Sequence, residues 1–430
     1  MIYIKKPNRI LVYISLLWVL TVSAFSYELP MVEPEAVGLS TERLLRIDKV
    51  MEMHIAQQKI AGGVTLLARH GKIAHLGTYG MMDVEAGKPM TPDTIFRIAS
   101  MTKPITSVAI MMLYEEGHFR LHEPVSKFIP AFKEMLVLPP EDAEASAQPV
   151  PATRQITIWN LLTHTSGLTY HWNERLGQQY TDAGITHGLL QDESTLEEKM
   201  KILATIPLLH QPGTEYEYGL SIDLLGYLVE VVSGMSLDAF FSERIFKPLG
   251  MKDTHFFIPE TKRQRIATVY ERTKDGPIKR KSQEPTVDGA LIYSTDYPYN
   301  GPRTYFAGGG GLVSTASDYL RFAQMMLNGG KFNGVRLLSR KTVELMTLNQ
   351  LAKMDIDYGF GLGFGIVRDA SDLREIGSVG RYGWGGFFFT NFFVDPQEQM
   401  IGIFMCQLHP SGGLDLGARI RILCYQAIAD

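Results

Sequence analysis

Ser100 and Lys103 stand three residues apart in Ser100-Met101-Thr102-Lys103, which brings a hydroxyl and an amine within reach of each other. Helix side chains three apart share a face, with roughly 5.4 Å of rise per turn, so the lysine can touch the serine oxygen. Pro104 lacks a backbone N–H and clashes inside a helix, so it belongs in the first turn and puts Ser100 at or just before the helix start. The partial positive charge of that helix end favours an alkoxide on Ser100. A serine paired with a lysine is one route to an activated nucleophile for acyl transfer. An N-capping serine followed by a solvated lysine would give the same four letters, so the other residues have to decide.

A nucleophilic serine needs a base, a donor that returns the proton to the leaving group, and N–H groups for the oxyanion. His164, in Thr163-His164-Thr165-Ser166-Gly167, reads as part of a helix end and turn, with a structural rather than catalytic role. No G-x-S-x-G elbow occurs, which speaks against an α/β-hydrolase. H-E-x-x-H and paired cysteine ligands are absent, so neither a metal nor any other cofactor is expected. The run Gly308 to Gly311 lacks the Lys-Ser or Lys-Thr of a phosphate loop, and close backbone packing is the better reason for it. Tyr218 remains as a candidate base, just before a helix that starts at Ser221. A free phenol titrates near about 10, so it serves as a base only beside positive charge.

The chain around these residues has 430 residues, 45% of them hydrophobic and 20% charged, which suits a globular protein with an ample core. Lys5, Lys6 and Arg9, the apolar run Ile10 to Leu20 and the small residues near Ser26 read as a signal peptide over residues 1–26. The expectation is an exported protein, periplasmic or secreted. Its apolar run is short for a span, which takes about 20 residues, so no stable membrane span is expected after cleavage. Loss of the leader removes three positive charges and no negative one, moving the formal charge from −4 to −7 and arguing against nucleic acid as a partner. Lys279-Arg280-Lys281 reads as an exposed loop, and Cys406 and Cys424, each flanked by apolar residues, as buried free thiols.

Periodicity predicts a helix from Leu39 to Gln58, with Leu44, Leu45, Ile47 and Val50 among its apolar positions. Strands at Val64 to Ala68 and Ile73 to Tyr79 follow, joined by a turn at His70-Gly71, and then the Ser100 helix, stopping at Gly117. Leu138 to Thr153 reads as a surface loop. Residues 156–250 read as largely helical, including Ser221 to Val232 and Leu237 to Ile245, and about 255–310 as a loop-rich cover. A helix from Ser317 to Leu327, strands at Gly361 to Val367, Phe387 to Val394 and Met400 to Cys406, and a helix from Leu416 to Ile428 complete the chain. Strands near both ends predict one sheet built from both termini, with a mostly helical lobe inserted between them.

Six ordered stretches give the chain a resemblance to the serine β-lactamase and penicillin-binding-protein superfamily, in its class C-like branch that includes β-lactamase-like carboxylesterases. They are Phe96 to Lys103, Leu161 to Leu168, Tyr218 with Asp223-Leu224-Leu225-Gly226, Pro248 to Asp253-Thr254, Gly309 to Ser314-Thr315, and Trp384-Gly385-Gly386. The resemblance implies an α/β (α+β) β-lactamase/transpeptidase-like fold over residues 27–430. Its antiparallel sheet lobe would span about 40–98 and 335–430, and its helical lobe about 99–334. It implies that Ser100 is acylated, that Lys103 and Tyr218 share its proton, and that Trp384-Gly385-Gly386 lies on the edge strand where many relatives carry Lys-Thr-Gly. The backbone N–H groups of Ser100 and Phe387 would then hold the oxyanion.

Two departures bear on the substrate. Gly219-Leu220 follows Tyr218 where penicillin-recognising relatives commonly have a polar residue, and Trp384 replaces a lysine that binds the substrate carboxylate. An indole supplies no such charge, although Arg381 nearby would restore one. The resulting expectation is a serine hydrolase acting on a small-molecule ester or amide, most simply a carboxylesterase on small esters. A class C-like β-lactamase or D-alanyl-D-alanine carboxypeptidase is the alternative. An acyltransferase or a non-catalytic binding protein of the same fold comes after that.

Overall fold

The structure is a computed structural model that describes residues 2, 29–142, 144, 147–354, 356 and 358–430. The segment read as a leader lies outside the described residues, apart from Ile2. Helix α1 (Thr41–Ala56) starts at Ser40, whose side chain accepts the Arg43 N–H, and buries Leu44, Ile47, Met51 and His54. Leu45, expected inside, points to solvent, because it lies off the stripe that those four residues define. Strands β1 (Gly62–Arg69) and β2 (Lys72–Asp83) follow, joined by His70 and Gly71, both at positive φ as a tight hairpin requires.

Helix α2 (Thr102–Glu115) is buried on every side from Thr102 to Leu113. It packs against α3 (Ser221–Ser233), which ends at Gly234 with φ +70. Between them the chain is less helical than its pattern suggested, with only short helices at Ile158–Leu162, Gly177–Asp182 and Leu196–Leu203. The described residues among 138–153 lie mostly at the surface as expected, with Val150 paired to Val137 at the base of the segment. The 255–310 region is irregular as expected, with two short hairpins in it. Lys281 departs from the exposed reading: it is buried against Glu271, 2.6 Å away, while Arg280 pairs with Asp83 and Glu85.

After α4 (Ala316–Leu327) come β3 (Tyr382–Gly386), β4 (Thr390–Asp395), β5 (Met400–Met405) and α5 (Leu416–Tyr425). All strand pairs in the main sheet are antiparallel, and Val64 opposite Met405 joins the two chain ends. Its order is Gly359–Phe360, Gly365–Ile366, β3, β4, β5, β1, β2, Lys88–Pro89. The outer face is covered by α1 and α5, the inner face by α2, α4 and the helical segments. Cys406 and Cys424 are buried and unpaired in the outer layer.

Three strand expectations change. Phe387 to Phe389 form the turn between β3 and β4 rather than part of a strand, and Phe389 has φ +72. Gly361 to Val367 contributes only the pairs at Gly365 and Ile366. Trp384-Gly385-Gly386 lies on β3, which is not the last strand, since Gly365–Ile366 pairs outside it; that pairing stops at Gly383, so the triplet's outer edge stays open.

The end of β3 crosses the turn that carries Ser100. A methyl group on Gly386 would lie 2.3 Å from the Ile98 carbonyl oxygen and 2.3 Å from Thr390 Oγ1, whereas one on Gly385 meets nothing nearer than 3.5 Å. Gly386→Ala is therefore expected to destabilise the protein by about 1–3 kcal/mol, and Gly385→Ala to change it by well under 1. Urea unfolding of the two variants checks this. Equal midpoints would show that the crossing does not depend on the glycine.

Candidate active site

Ser100 sits on a single tight turn, Ala99–Met101, that runs directly into α2. Four contacts fix that turn. Phe96–Arg97 pairs with Val313–Ser314, the Ile98 N–H bonds Leu312 O at 3.1 Å, the Arg97 N–H bonds Gln407 Oε1 at 3.1 Å, and the Tyr319 hydroxyl bonds Met101 O at 2.9 Å. Ala99 is held at φ +41, in the left-handed region that an alanine seldom adopts. The strain falls one residue before the serine.

Lys103 is 2% exposed, and its ammonium donates to Ser100 Oγ at 3.3 Å, Tyr170 Oη at 2.9 Å and Gly309 O at 2.6 Å. Three donors meet three acceptors, which is what a buried ammonium requires. Its nitrogen also lies 4.6 Å from the centre of the Tyr218 ring. The structure thus brings Ser100, Lys103 and Tyr218 to one place. Trp384 joins them, its indole N–H donating to Tyr218 Oη at 3.3 Å while its ring packs edge-on against Phe360. A methyl on Gly365 would come within 3.0 Å of that indole, so the neighbouring strand leaves room for it.

His164 is fully buried, 4.8 Å from the Tyr218 ring, with its Nδ1 accepting the Gly219 N–H at 3.3 Å. Burial, helped by the charge of Lys103, holds its pKa well below the usual value. A neutral ring whose acceptor nitrogen is already bonded supports Tyr218 by packing. Gly219 is needed where it stands, because a methyl there would lie 2.3 Å from Leu168 O, and Leu220 is buried in the core rather than facing the cleft. The Ser100 and Phe387 amides have no hydrogen-bond acceptor among the described residues, and Ala99 shares a packed cluster with Phe387 and Phe388. Gly385 and Gly386 bring no side chain to this edge.

Arg381 does not restore a cation here. Along β3, Tyr382 and Trp384 face the inner side, so Arg381 faces the outer one, where its guanidinium lies 5.9 Å from the Tyr425 ring on α5.

Sequence reasoning left three participants unassigned. Tyr170, from the segment after Leu168, accepts from Lys103; burial and the nearby Asp223 push its pKa well above 10, so it stays a neutral phenol. Gly309 supplies a carbonyl to Lys103. Asp223, on α3, accepts the Gly309 N–H at 3.0 Å. The four-glycine run is explained by close approach, since a methyl on Gly309 would lie 2.3 Å from Asp223 Oδ2 and one on Gly308 2.8 Å from Ile222 O. Asp223 and Gly309, both quoted among the motif residues, carried a signal, and Tyr170 carried none. Among the described residues no three His, Cys, Asp or Glu side chains gather as a metal centre would need.

The family model described as Beta-lactamase matches residues 47–427. Esterase EstB of Burkholderia gladioli is 32% identical over 372 residues, covering 84% of this chain and 90% of the esterase. Acyltransferase mokF of Monascus pilosus is 29% identical over 334 residues, covering 74% and 75%. The solved structure of EstCE1, described as a hydrolase with promiscuous acyltransferase activity, superposes with a TM-score of 0.77 at 28% identity over 90% of this chain and 99% of that one.

Burial raises the Asp223 carboxyl from 3.8 to about 6, against the opposing pull of Lys103 and the Gly309 N–H. The folded protein therefore binds this proton more tightly than the unfolded chain. The group's contribution is fully present below about pH 4 and is lost as pH rises through about 6, a cost of about 3 kcal/mol at neutral pH. Asp223→Asn keeps an oxygen for the Gly309 N–H and removes the titration. Its thermal midpoint is expected to exceed that of the parent at pH 7.5, with the gap narrowing towards pH 4. A gap independent of pH in scanning calorimetry would contradict this.

Proposed function

The chain belongs to the β-lactamase family, and from that premise we propose that it is an exported serine carboxylesterase acting on small esters through an acyl-enzyme on Ser100. The observation that carries this reading is the placement of Trp384. An indole, not a cation, stands beside Tyr218, and Arg381 faces away on the other side of the sheet. A site walled in this way favours an apolar ester over an anionic β-lactam or a peptide carboxylate. The likeness to an esterase at 32% identity supports the same choice.

Ser100 Oγ attacks the ester carbonyl while its proton passes to Tyr218 Oη, for this step a phenolate opposite the Lys103 ammonium, which is already bonded to Oγ. The two free amides of Ser100 and Phe387 take the oxyanion. Tyr218 then returns a proton to the departing alcohol oxygen. Water enters the same position, gives a proton to Tyr218 Oη, attacks the acyl carbon and releases the acid as that proton returns to Ser100 Oγ. An alcohol in place of water would give acyl transfer with the same groups.

A fluorophosphonate is expected to add once, on Ser100, as read by mass spectrometry of the digested protein; an unlabelled Ser100 in folded protein would sink the proposal. Tyr218→Phe should lower kcat by roughly 100-fold or more. Turnover of p-nitrophenyl butyrate should exceed that of nitrocefin and of a D-Ala-D-Ala peptide, and the reverse order would favour a β-lactamase or peptidase.

A further inference from the structure

Trp172 belongs to none of the six motifs, yet it stands at the mouth of the site with half of its surface, 51%, open to solvent. A single exposed aromatic residue would mean little. This one continues a wall. Its ring lies parallel to Tyr218, 14° between planes and 6.3 Å between centres, and 4.5 Å from the ring of Tyr170. Trp384 also packs on Tyr218, 5.6 Å between ring centres. The turn that carries Trp172 is fixed: the Asn173 N–H bonds Tyr170 O at 3.1 Å, the Asn173 side chain accepts from the Arg175 and Leu176 amides, and the neighbouring His171 is buried against Ile185 O. An indole held this way loses little freedom when a ligand covers it.

The direction of the reaction says which half of an ester meets this wall. The carbonyl oxygen must lie at the Ser100 and Phe387 amides, and the leaving oxygen must lie at Tyr218 Oη to receive its proton. An alcohol group leaving from Tyr218 Oη starts beside the two indoles that pack on Tyr218, Trp172 and Trp384. We infer that Trp172 is a specificity-determining residue for the alcohol half of the ester, selecting flat or extended apolar alcohols over short ones. The inference rests on the esterase reading. It also extends to the second half-reaction, because the deacylating nucleophile arrives through the space that the alcohol vacates. An apolar alcohol resting on Trp172 competes with water there. The bond from the acyl carbon to Ser100 Oγ breaks as the bond to the alcohol oxygen forms, and the alcohol proton passes through Tyr218 to Ser100 Oγ.

The test uses the mature protein and its Trp172→Ala and Trp172→Phe variants on esters that differ in one half at a time. Trp172→Ala is expected to lose roughly tenfold in kcat/KM on benzyl butyrate, mainly through KM, and less than twofold on ethyl butyrate. Trp172→Phe should recover most of that loss. With benzyl alcohol present, the ratio of benzyl ester formed to acid released should fall in Trp172→Ala by a similar factor. Equal losses on the benzyl and ethyl esters, a loss that follows acyl length between ethyl acetate and ethyl octanoate, or no loss at all would each overturn the inference while leaving the esterase reading intact. Failure of the unsubstituted protein to turn over any of these esters would instead overturn both.

Discussion

The buried ammonium of Lys103 is the contact on which the rest of the site depends. A charge almost fully withdrawn from water is tolerated only when every donor is met, and here the three acceptors come from three separate segments: Ser100 from the turn before α2, Tyr170 from the segment after Leu168, and Gly309 from the glycine run. Each must be held in register to within a few tenths of an ångström. Asp223 holds the Gly309 segment by its N–H, which is why a carboxylate stays buried at an energetic cost instead of an apolar residue. Removing any one acceptor would leave an unmet charge at the centre of the protein.

The larger architecture serves the same requirement. Helix α2 is buried on all faces because it runs between the sheet and α3, and its first turn, with Lys103, is withdrawn from solvent there. Gln407, just past the end of β5, binds both the N–H and the C=O of Arg97 and so ties the sheet to the turn that carries Ser100. Gly386 brings β3 down onto Ile98, and the turn that follows packs Phe387 and Phe388 against Ala99, one residue before the serine. Around Tyr218 stand four aromatic side chains, His164, Tyr170, Trp172 and Trp384, each packed against its ring.

Elements with clear periodicity were legible in the sequence. Helix α1, the β1–β2 hairpin, α2, α3, α4 and β5 lie within a few residues of their expected places, because alternating or helical burial forces a matching pattern of apolar residues. Strand β3 was hidden from periodicity and reached only through the resemblance: Tyr382-Gly383-Trp384-Gly385-Gly386 has three glycines and gives no alternation, since its role is to let other backbones approach. Phe387 to Val394 misled in the opposite way, as a run of apolar residues that begins in a turn packed against Ala99.

The sequence by itself determined that Ser100 and Lys103 meet, since their spacing is a local property of one helix turn. It also determined the family, through motifs in a fixed order. The tertiary structure decided what surrounds them. Tyr170 and Gly309 reach Lys103, and Asp223 reaches Gly309, across gaps of tens to hundreds of residues, and Arg381 is taken away from the cleft by the alternation of a strand that the pattern did not reveal. Contacts of that kind depend on which faces of distant elements meet, and local spacing carries no record of it.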